Sequence, residues 1–308
     1  MTNWRYRSLL LIVASASAHL TVDVARSEEP KATPQAPAPL QAGAKVVPLW
    51  PADKLTIKGD GGPEVLSMSK GATPHVQSVT NIHNPSIELH LAPPEKRNGT
   101  AIILAPGGGN KTIVVGSEGT DIVPWLNDLG VSTFILRYRI QPYDSKVEGM
   151  ADTQRAIRTI RANAPEWGVN PNRIGIMGFS AGGEQAAWVA LKYDRGQPDA
   201  ADAVDRVSCR PDFVVMVYAG WKSMDTSDVP KDTPPTFLTS AGVDDAFHAR
   251  QTVQFYNALF EAGIPAELHI YSHGGHGGGI SPRNGIPFGT WQDRFVDWAR
   301  DLDMLPKK

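Results

Sequence analysis

Short apolar runs of five to seven residues alternate along the chain with longer segments in which apolar residues recur every three or four positions. The runs predict buried strands, and the periodic segments predict amphipathic helices. Predicted strands cover residues 86–91, 101–105, 133–138, 212–218, 236–240 and 266–271. Predicted helices cover residues 120–129, 151–163, 249–262 and 289–302. This alternation is typical of an α/β domain whose mostly parallel sheet is covered by helices on both faces.

One junction between a strand and a helix carries a short glycine motif. An apolar strand over residues 173–179 runs into the turn Gly178-Phe179-Ser180-Ala181-Gly182, and helix-forming residues follow over 184–191. A Gly-x-Ser-x-Gly turn in this setting folds so tightly that the serine hydroxyl is pushed into the open. Ser180 is therefore the candidate nucleophile.

A serine hydroxyl becomes a good nucleophile only when a base takes its proton. His276 lies in a glycine-rich loop after the last predicted strand and is the candidate base, with His273 as the lesser alternative. Asp244 and Asp245 both follow an earlier strand at loop distance, so either could accept a hydrogen bond from the imidazole. Either aspartate could instead cap the next helix.

A glycine-rich segment after residues 101–105 suits the stabilisation of an oxyanion, because backbone amides there are not shielded by side chains. We predict that Gly108, Gly109 and Ala181 supply the donors. Asn110 could add a side-chain amide or only end the turn. The segment lacks both the Gly-Lys-Ser/Thr ending and the Gly-x-Gly-x-x-Gly spacing of nucleotide-binding loops.

Several separated motifs together resemble the α/β-hydrolase esterases, in particular bacterial exported esterases of the acetylxylan esterase-like and xylanase-associated group. They are Pro106–Gly109, Glu118-Gly119, Trp125–Asn127, Leu136–Arg139, Asp152, Arg155–Ile157, Trp167–Gly183, Ser208–Phe213 and Gly274–Gly277. The resemblance extends from about Val47 to the C-terminus. It implies the α/β-hydrolase fold and a triad of Ser180, Asp244 and His276.

The chain departs from the family pattern at positions that would line the pocket. Asn110 stands where the family usually has tyrosine, Glu184 where histidine often follows the turn, and residues 245–247 replace a segment resembling Asp-Pro-Val. We therefore predict Asn110, Glu184 and Trp221 as substrate-binding residues, while core packing is the other role open to Trp221.

Composition and charge exclude several other classes of function. The chain has 308 residues, of which 41% are hydrophobic, and a net charge of −2 without basic runs, so we expect no nucleic-acid partner. We predict no cofactor and no metal, because the histidines before the catalytic motifs lack the spacing of a zinc site. Cys209, the only cysteine, is expected to be a structural thiol.

The first residues read as a targeting segment. Arg5 and Arg7 precede the apolar run Leu9–Ala14, and small residues follow up to Ala18. This pattern predicts a signal peptide over residues 1–18, a secreted or periplasmic protein, and no stable membrane anchor. Residues 19–45, rich in Pro and Ala, are expected to be a mobile linker to a catalytic domain over residues 46–308.

These observations predict a serine ester hydrolase that acts through an acyl-enzyme on a small-molecule or polysaccharide ester, removing acetate or another short acyl group. Two alternatives stay open. A serine peptidase of the same fold would use the same triad, although such enzymes usually carry an extra domain that selects peptides. A carbohydrate-binding protein that has lost catalysis would keep Ser180 and His276 in a pocket that no longer places an ester.

Overall fold

The computed structural model describes residues 1, 34–59, 61–70, 72–220, 226–281 and 285–307. Residues 2–33, which include almost all of the predicted signal peptide and the start of the predicted linker, lie outside the described residues, as does Trp221. Among the residues described, no helix combines the length and apolar character needed to cross a membrane.

The centre of the fold is an eight-stranded sheet with the order β1-β4-β6-β5-β7-β8-β9-β10. Its strands are β1 (Lys45–Pro48), β4 (Ser86–His90), β5 (Ala101–Ala105), β6 (Ser132–Arg137), β7 (Ile174–Phe179), β8 (Phe213–Val217), β9 (Thr236–Ala241) and β10 (Ala266–Tyr271). In this order, every neighbouring pair from β6 through β5, β7, β8 and β9 to β10 is parallel. Strand β4 pairs antiparallel with β6, and β1 pairs antiparallel with β4. A separate hairpin pairs β2 (Val65–Met68) with β3 (Val76–Thr80). The predicted mostly parallel α/β fold is confirmed.

Within the described residues, six α-helices pack around this sheet. They are α1 (Val123–Asp128), α2 (Met150–Ala162), α3 (Ala164–Trp167), α4 (Ala181–Leu191), α5 (Ala246–Glu261) and α6 (Trp291–Asp301). Helix α4 contacts β7 and β8, whereas α5 contacts β9 and β10. Strands β5 to β9 are buried along their whole length, which explains why they read as continuous apolar runs rather than as alternating patterns.

The predicted linker boundary at residue 45 is wrong for the described part of that segment. Leu40 is buried in the core, and the backbone amides of Leu40 and Gln41 donate to the buried carboxylate of Glu88, at 2.5 and 3.2 Å. The carbonyl of Ala38 accepts from Arg137 at 2.7 Å. The segment shows no hydrophobic period because it docks through its backbone and a few isolated side chains. The folded unit therefore includes residues 34–45.

A buried carboxylate ties the end of β6 to the first turn of α2. Asp152 is fully buried and accepts four hydrogen bonds at 2.7–2.9 Å, three from the backbone and guanidinium of Arg139 and one from the indole of Trp50. A buried charge is tolerated only when it is paired and fully hydrogen-bonded, as here. This contact fixes the segment that follows β6 and approaches the nucleophile.

We expect Asp152→Ala to lower the free energy of unfolding by about 3–5 kcal/mol, because Arg139 would remain buried without its counter-charge. Urea denaturation followed by circular dichroism measures this. Asp128→Ala is the matched control: Asp128 pairs with Lys96 at 2.8 Å on the surface, and its loss should cost no more than about 1 kcal/mol. Equal losses in the two variants would contradict the structural role assigned to Asp152.

Candidate active site

Ser180 lies between the end of β7 and the start of α4, in a backbone conformation that is strained for any residue other than glycine. Its φ is +52° and its ψ is −118°. Strain of this kind costs roughly 1–3 kcal/mol and persists only where the surrounding structure imposes it. The Ser180 amide donates to the carbonyl of Val217 at 3.2 Å, and the residue is partly exposed.

The two glycines of the motif are required by close packing. A Cβ atom on Gly178 would lie 2.3 Å from the carbonyl oxygen of Gly182, and one on Gly182 would lie 1.8 Å from the carbonyl oxygen of Ala105. Neither position can hold a side chain without moving the backbone. The turn therefore has the tight form that the sequence motif predicts, with the serine at its tip.

A chain of hydrogen bonds connects Ser180 to a histidine and an aspartate. The Nε2 atom of His276 lies 2.9 Å from Ser180 Oγ, and its Nδ1 atom lies 2.9 Å from Asp245 Oδ2. The structure thus brings His276, rather than the alternative His273, to the serine. It also places Asp245 in the position that the sequence analysis assigned to Asp244.

The placement of Asp244 is a correction with a simple local cause. After β9 the chain makes a single helical turn over Val243–Asp245, so consecutive side chains point in different directions. Asp245 points inward and is buried, whereas Asp244 lies at the surface and accepts from the amides of Gly274 and Gly275 at 2.9 and 3.1 Å. Asp244 therefore anchors the loop that carries His276 instead of contacting the imidazole.

The charge on Asp245 determines which ring nitrogens carry protons. Burial alone would raise the pKa of Asp245, but hydrogen bonds from His248 and His276 outweigh burial and hold that pKa below its ordinary value. An ionised carboxylate can only accept, so His276 donates from Nδ1. Its Nε2 atom is then free to accept the proton of the Ser180 hydroxyl.

The glycine-rich loop after β5 faces the serine with donors available. Within the part of the chain that the structure describes, the amides of Gly108 and Gly109 have no hydrogen-bond acceptor. Gly108 has a φ of +130°, and a Cβ atom there would lie 2.1 Å from the carbonyl oxygen of Thr112. Ala181 is the first residue of α4, and such an amide has no acceptor within its own helix.

Glu118 is a functional residue whose role the sequence analysis did not identify. Its buried carboxylate accepts from the Gly107 amide at 2.7 Å and from the Tyr218 hydroxyl at 2.9 Å. The Tyr218 oxygen in turn accepts from the amide of Gly279 at 2.9 Å. Burial raises the pKa of Glu118 despite these hydrogen bonds. One carboxylate therefore connects the glycine-rich loop to the loop of His276, and its presence in the Glu118-Gly119 motif was the available signal.

Ser180 lines a surface cleft with a volume of about 390 Å³. The cleft is lined by Gly109, Asn110, Gln141, Ser145, Lys146, Ser180, Ala181, Glu184, Gly220, Phe247 and His248. It thus contains Asn110 and Glu184, two of the three predicted substrate-binding residues. Glu184 is 8% exposed, and burial raises its pKa. The predicted contact by Trp221 lies outside the described residues.

Three residues at the site have the donor atoms of a metal site, which the sequence analysis did not anticipate. Asp245, His248 and His276 each offer one ligand atom, all within 4.8 Å of one another. However, the two imidazoles stack at 3.9 Å with an interplanar angle of 19°. In this arrangement the Nδ1 atom of each imidazole hydrogen-bonds to one oxygen of the Asp245 carboxylate. The cluster is a hydrogen-bonded unit as it stands.

Two protein-family models and a solved structure match this chain. The model of the BD-FAE family matches residues 87–221, and the model of the prolyl oligopeptidase family matches residues 214–302. A deep-sea metagenome α/β-hydrolase, MGS-M1, shares the fold with a TM-score of 0.58 and 23% identity, over 78% of this chain and 98% of its own. The chain has the α/β-hydrolase fold.

Two similar proteins have names that specify an activity. An acetylxylan esterase from Xylanibacter ruminicola is 29% identical over 240 residues, which are 68% of this chain and 45% of the relative. The crystal structure of an acetyl ester-xyloside bifunctional hydrolase from Caldicellulosiruptor lactoaceticus is 28% identical with a TM-score of 0.72, covering 85% of this chain and 97% of its own. The chain spans less than half the length of the curated relatives that it matches.

The reactivity of Ser180 should depend on Asp245 and much less on its neighbour. We expect Asp245→Ala to slow labelling of Ser180 by a fluorophosphonate probe about 10⁴-fold, because His276 loses the acceptor that fixes its tautomer. Asp244→Ala, the matched control one residue away, removes only two loop hydrogen bonds and should slow labelling less than about tenfold. Time-resolved intact-protein mass spectrometry measures both rates. A greater loss in the Asp244 variant would reverse the assignment.

Proposed function

We propose that this protein is a serine carboxylic ester hydrolase that works through an acyl-enzyme and removes acetate or another short acyl group from a carbohydrate ester. The observation that carries the proposal is the hydrogen-bond chain from Ser180 through His276 to Asp245, with both distances at 2.9 Å. Each contact is within the range needed for a proton to move as the serine attacks.

The first half-reaction acylates the serine. Ser180 Oγ attacks the carbonyl carbon of the ester while His276 Nε2 takes the hydroxyl proton, and Asp245 stabilises the resulting imidazolium. The carbonyl oxygen becomes an oxyanion, which the amides of Gly108, Gly109 and Ala181 are suited to bind. When the intermediate collapses, His276 gives its proton to the departing alcohol oxygen, and the acyl group stays on Ser180.

The second half-reaction repeats these steps with water as the nucleophile. His276 takes a proton from the water as its oxygen attacks the acyl carbon, and the same amides hold the second oxyanion. Collapse returns the proton to Ser180 Oγ and releases the carboxylic acid. The ester and one water molecule are the only reactants that the two half-reactions consume.

The polar lining of the cleft favours an ester whose alcohol carries several hydroxyl groups, as a sugar does. Beside Ser180 the lining includes the carboxyl of Glu184, the amide of Asn110 and the ammonium of Lys146, and such groups can hydrogen-bond to sugar hydroxyls. The acetyl esters in the names of two relatives favour acetate as the acyl group. The pattern over residues 1–18 supports export to the periplasm or the medium as part of this proposal.

A peptidase is the second candidate, and the match of residues 214–302 to the prolyl oligopeptidase family is the observation that favours it. A carbohydrate-binding protein without catalysis is the third. A fluorophosphonate probe and a peptide amide separate the three candidates. A peptidase would be labelled by the probe and would cleave the amide, whereas an esterase would be labelled but would cleave short acyl esters instead. A binding protein would neither be labelled nor cleave either substrate.

We expect the mature protein to hydrolyse p-nitrophenyl acetate faster than the butyrate ester and to release acetate from acetylated xylan. Ser180→Ala should lower both activities by roughly 10⁶-fold, because the triad acts as a unit. Absorbance at the nitrophenolate band and enzymatic determination of acetate measure the two reactions. Equal turnover by the wild type and the variant would contradict the Ser180 mechanism.

The contribution of Glu184 to alcohol recognition is tested by comparing two substrates. Glu184→Ala should lower kcat/KM for an acetylated xylo-oligosaccharide by about tenfold, the value of one lost hydrogen bond to the sugar. Hydrolysis of p-nitrophenyl acetate by the same variant is the internal control and should change less than about twofold, since that alcohol has no sugar hydroxyl. An equal loss on both substrates would assign Glu184 to the catalytic machinery or to folding.

A further inference from the structure

Asp245 holds a second histidine besides His276. His248 Nδ1 lies 2.5 Å from Asp245 Oδ1, while His276 Nδ1 lies 2.9 Å from Asp245 Oδ2. Each carboxylate oxygen thus has its own imidazole partner. The terminal torsion of an aspartate is broad and has a two-fold profile, so a carboxylate held at one oxygen can rotate. A second hydrogen bond at the other oxygen restricts that rotation.

The His248 ring also packs against one face of the His276 imidazole. The two rings stack at 3.9 Å, and the Tyr218 ring meets His276 edge-on at 4.9 Å. The backbone around His276 includes several glycines with positive φ, and its side chain is 36% exposed. The ring stack therefore supports the His276 ring directly, in addition to the backbone hydrogen bonds that hold its loop to Asp244 and Tyr218.

The position of His248 is itself set by tight packing. It lies three residues after Asp245 in the first turn of α5, so the two side chains share one side of the helix. Gly220 approaches its ring so closely that a Cβ atom there would lie 2.3 Å from His248 Cδ2. Asp245 occupies the N-cap position of α5, yet its side chain makes no capping hydrogen bond. The Asp245 carboxylate therefore accepts hydrogen bonds from the two histidines instead of from the backbone amides of the first helical turn.

We propose that His248 is a positioning residue that holds Asp245 and His276 in the alignment needed to take the proton from Ser180. It donates Nδ1–H to one carboxylate oxygen and covers one face of the base, without itself reaching the hydroxyl. This inference rests on the esterase function proposed above, and it adds to that mechanism a second imidazole on the triad carboxylate.

Two variants at position 248 separate the hydrogen bond from the packing. His248→Phe keeps a ring against His276 but loses the donor, so kcat for p-nitrophenyl acetate should fall about 10- to 100-fold, with KM changed less than about twofold. His248→Asn keeps an N–H donor near the Nδ1 position and should stay within about threefold of the wild type. A merely structural role would instead lower the melting temperature of both variants and leave kcat unchanged.

The matched control is His269→Phe. His269 pairs with Glu267 at 2.6 Å on strand β10, so this variant removes the same kind of hydrogen bond at the edge of the sheet and should leave kcat unchanged. The proposal is overturned if His248→Phe keeps kcat within twofold of the wild type. It is equally overturned if His248→Asn loses as much activity as His248→Phe.

A measurement without turnover keeps this inference separate from the proposed function. In the Ser180→Ala protein, proton NMR should detect two far-downfield Nδ1–H resonances, one from each histidine bonded to Asp245. Adding His248→Phe should remove one resonance and shift the other, and a second resonance that does not shift overturns the positioning role. Failure of the wild type to hydrolyse any ester would reject the proposed function, and the NMR result would then decide the role of His248 alone.

Discussion

The arrangement of the site depends on how closely the turn at Ser180 is packed between neighbouring segments. Gly182 lies directly against the carbonyl of Ala105 at the end of β5, and a Cβ atom on Gly107 would lie 2.7 Å from both Phe179 O and Ser180 Cβ. These contacts hold Ser180 at a φ of +52°. They also bring the first amide of α4 and the glycine-rich loop to the same side of the hydroxyl. The same close contacts therefore position both the nucleophile and the amide donors.

The parallel sheet supplies the other two groups from neighbouring positions. Ser180 follows β7, Asp245 follows β9 and His276 follows β10, and these strands lie at the same end of the sheet in the order β7-β8-β9-β10. Loops at the carboxyl ends of parallel strands meet there, which is where ligands bind in open α/β sheets. The loops are then held by buried or anchored carboxylates: Glu118 links two of them, and Asp244 fixes the His276 loop through its backbone.

The sequence predicted the buried strands, most helices and the positions of Ser180 and His276, because burial on both faces and a tight glycine turn leave strong local patterns. It missed β1 and the hairpin of β2 with β3, where the strands are short and β2 is exposed at every position. It placed the start of α5 near residue 249, whereas the helix begins at Ala246. The choice between Asp244 and Asp245 depends on the direction of one side chain in a single helical turn, which spacing along the chain does not encode.

We infer that one serine, activated by His276 and Asp245, attacks a carbonyl whose oxygen is held by three backbone amides. The most direct measurement is a crystal structure of the protein after reaction with a dialkyl p-nitrophenyl phosphate, whose phosphoryl oxygen occupies the place of the oxyanion. This mechanism predicts phosphorus bonded to Ser180 Oγ, with the phosphoryl oxygen within hydrogen-bond distance of the amides of Gly108, Gly109 and Ala181. Phosphorus on another residue, or a phosphoryl oxygen turned away from these amides, would contradict it.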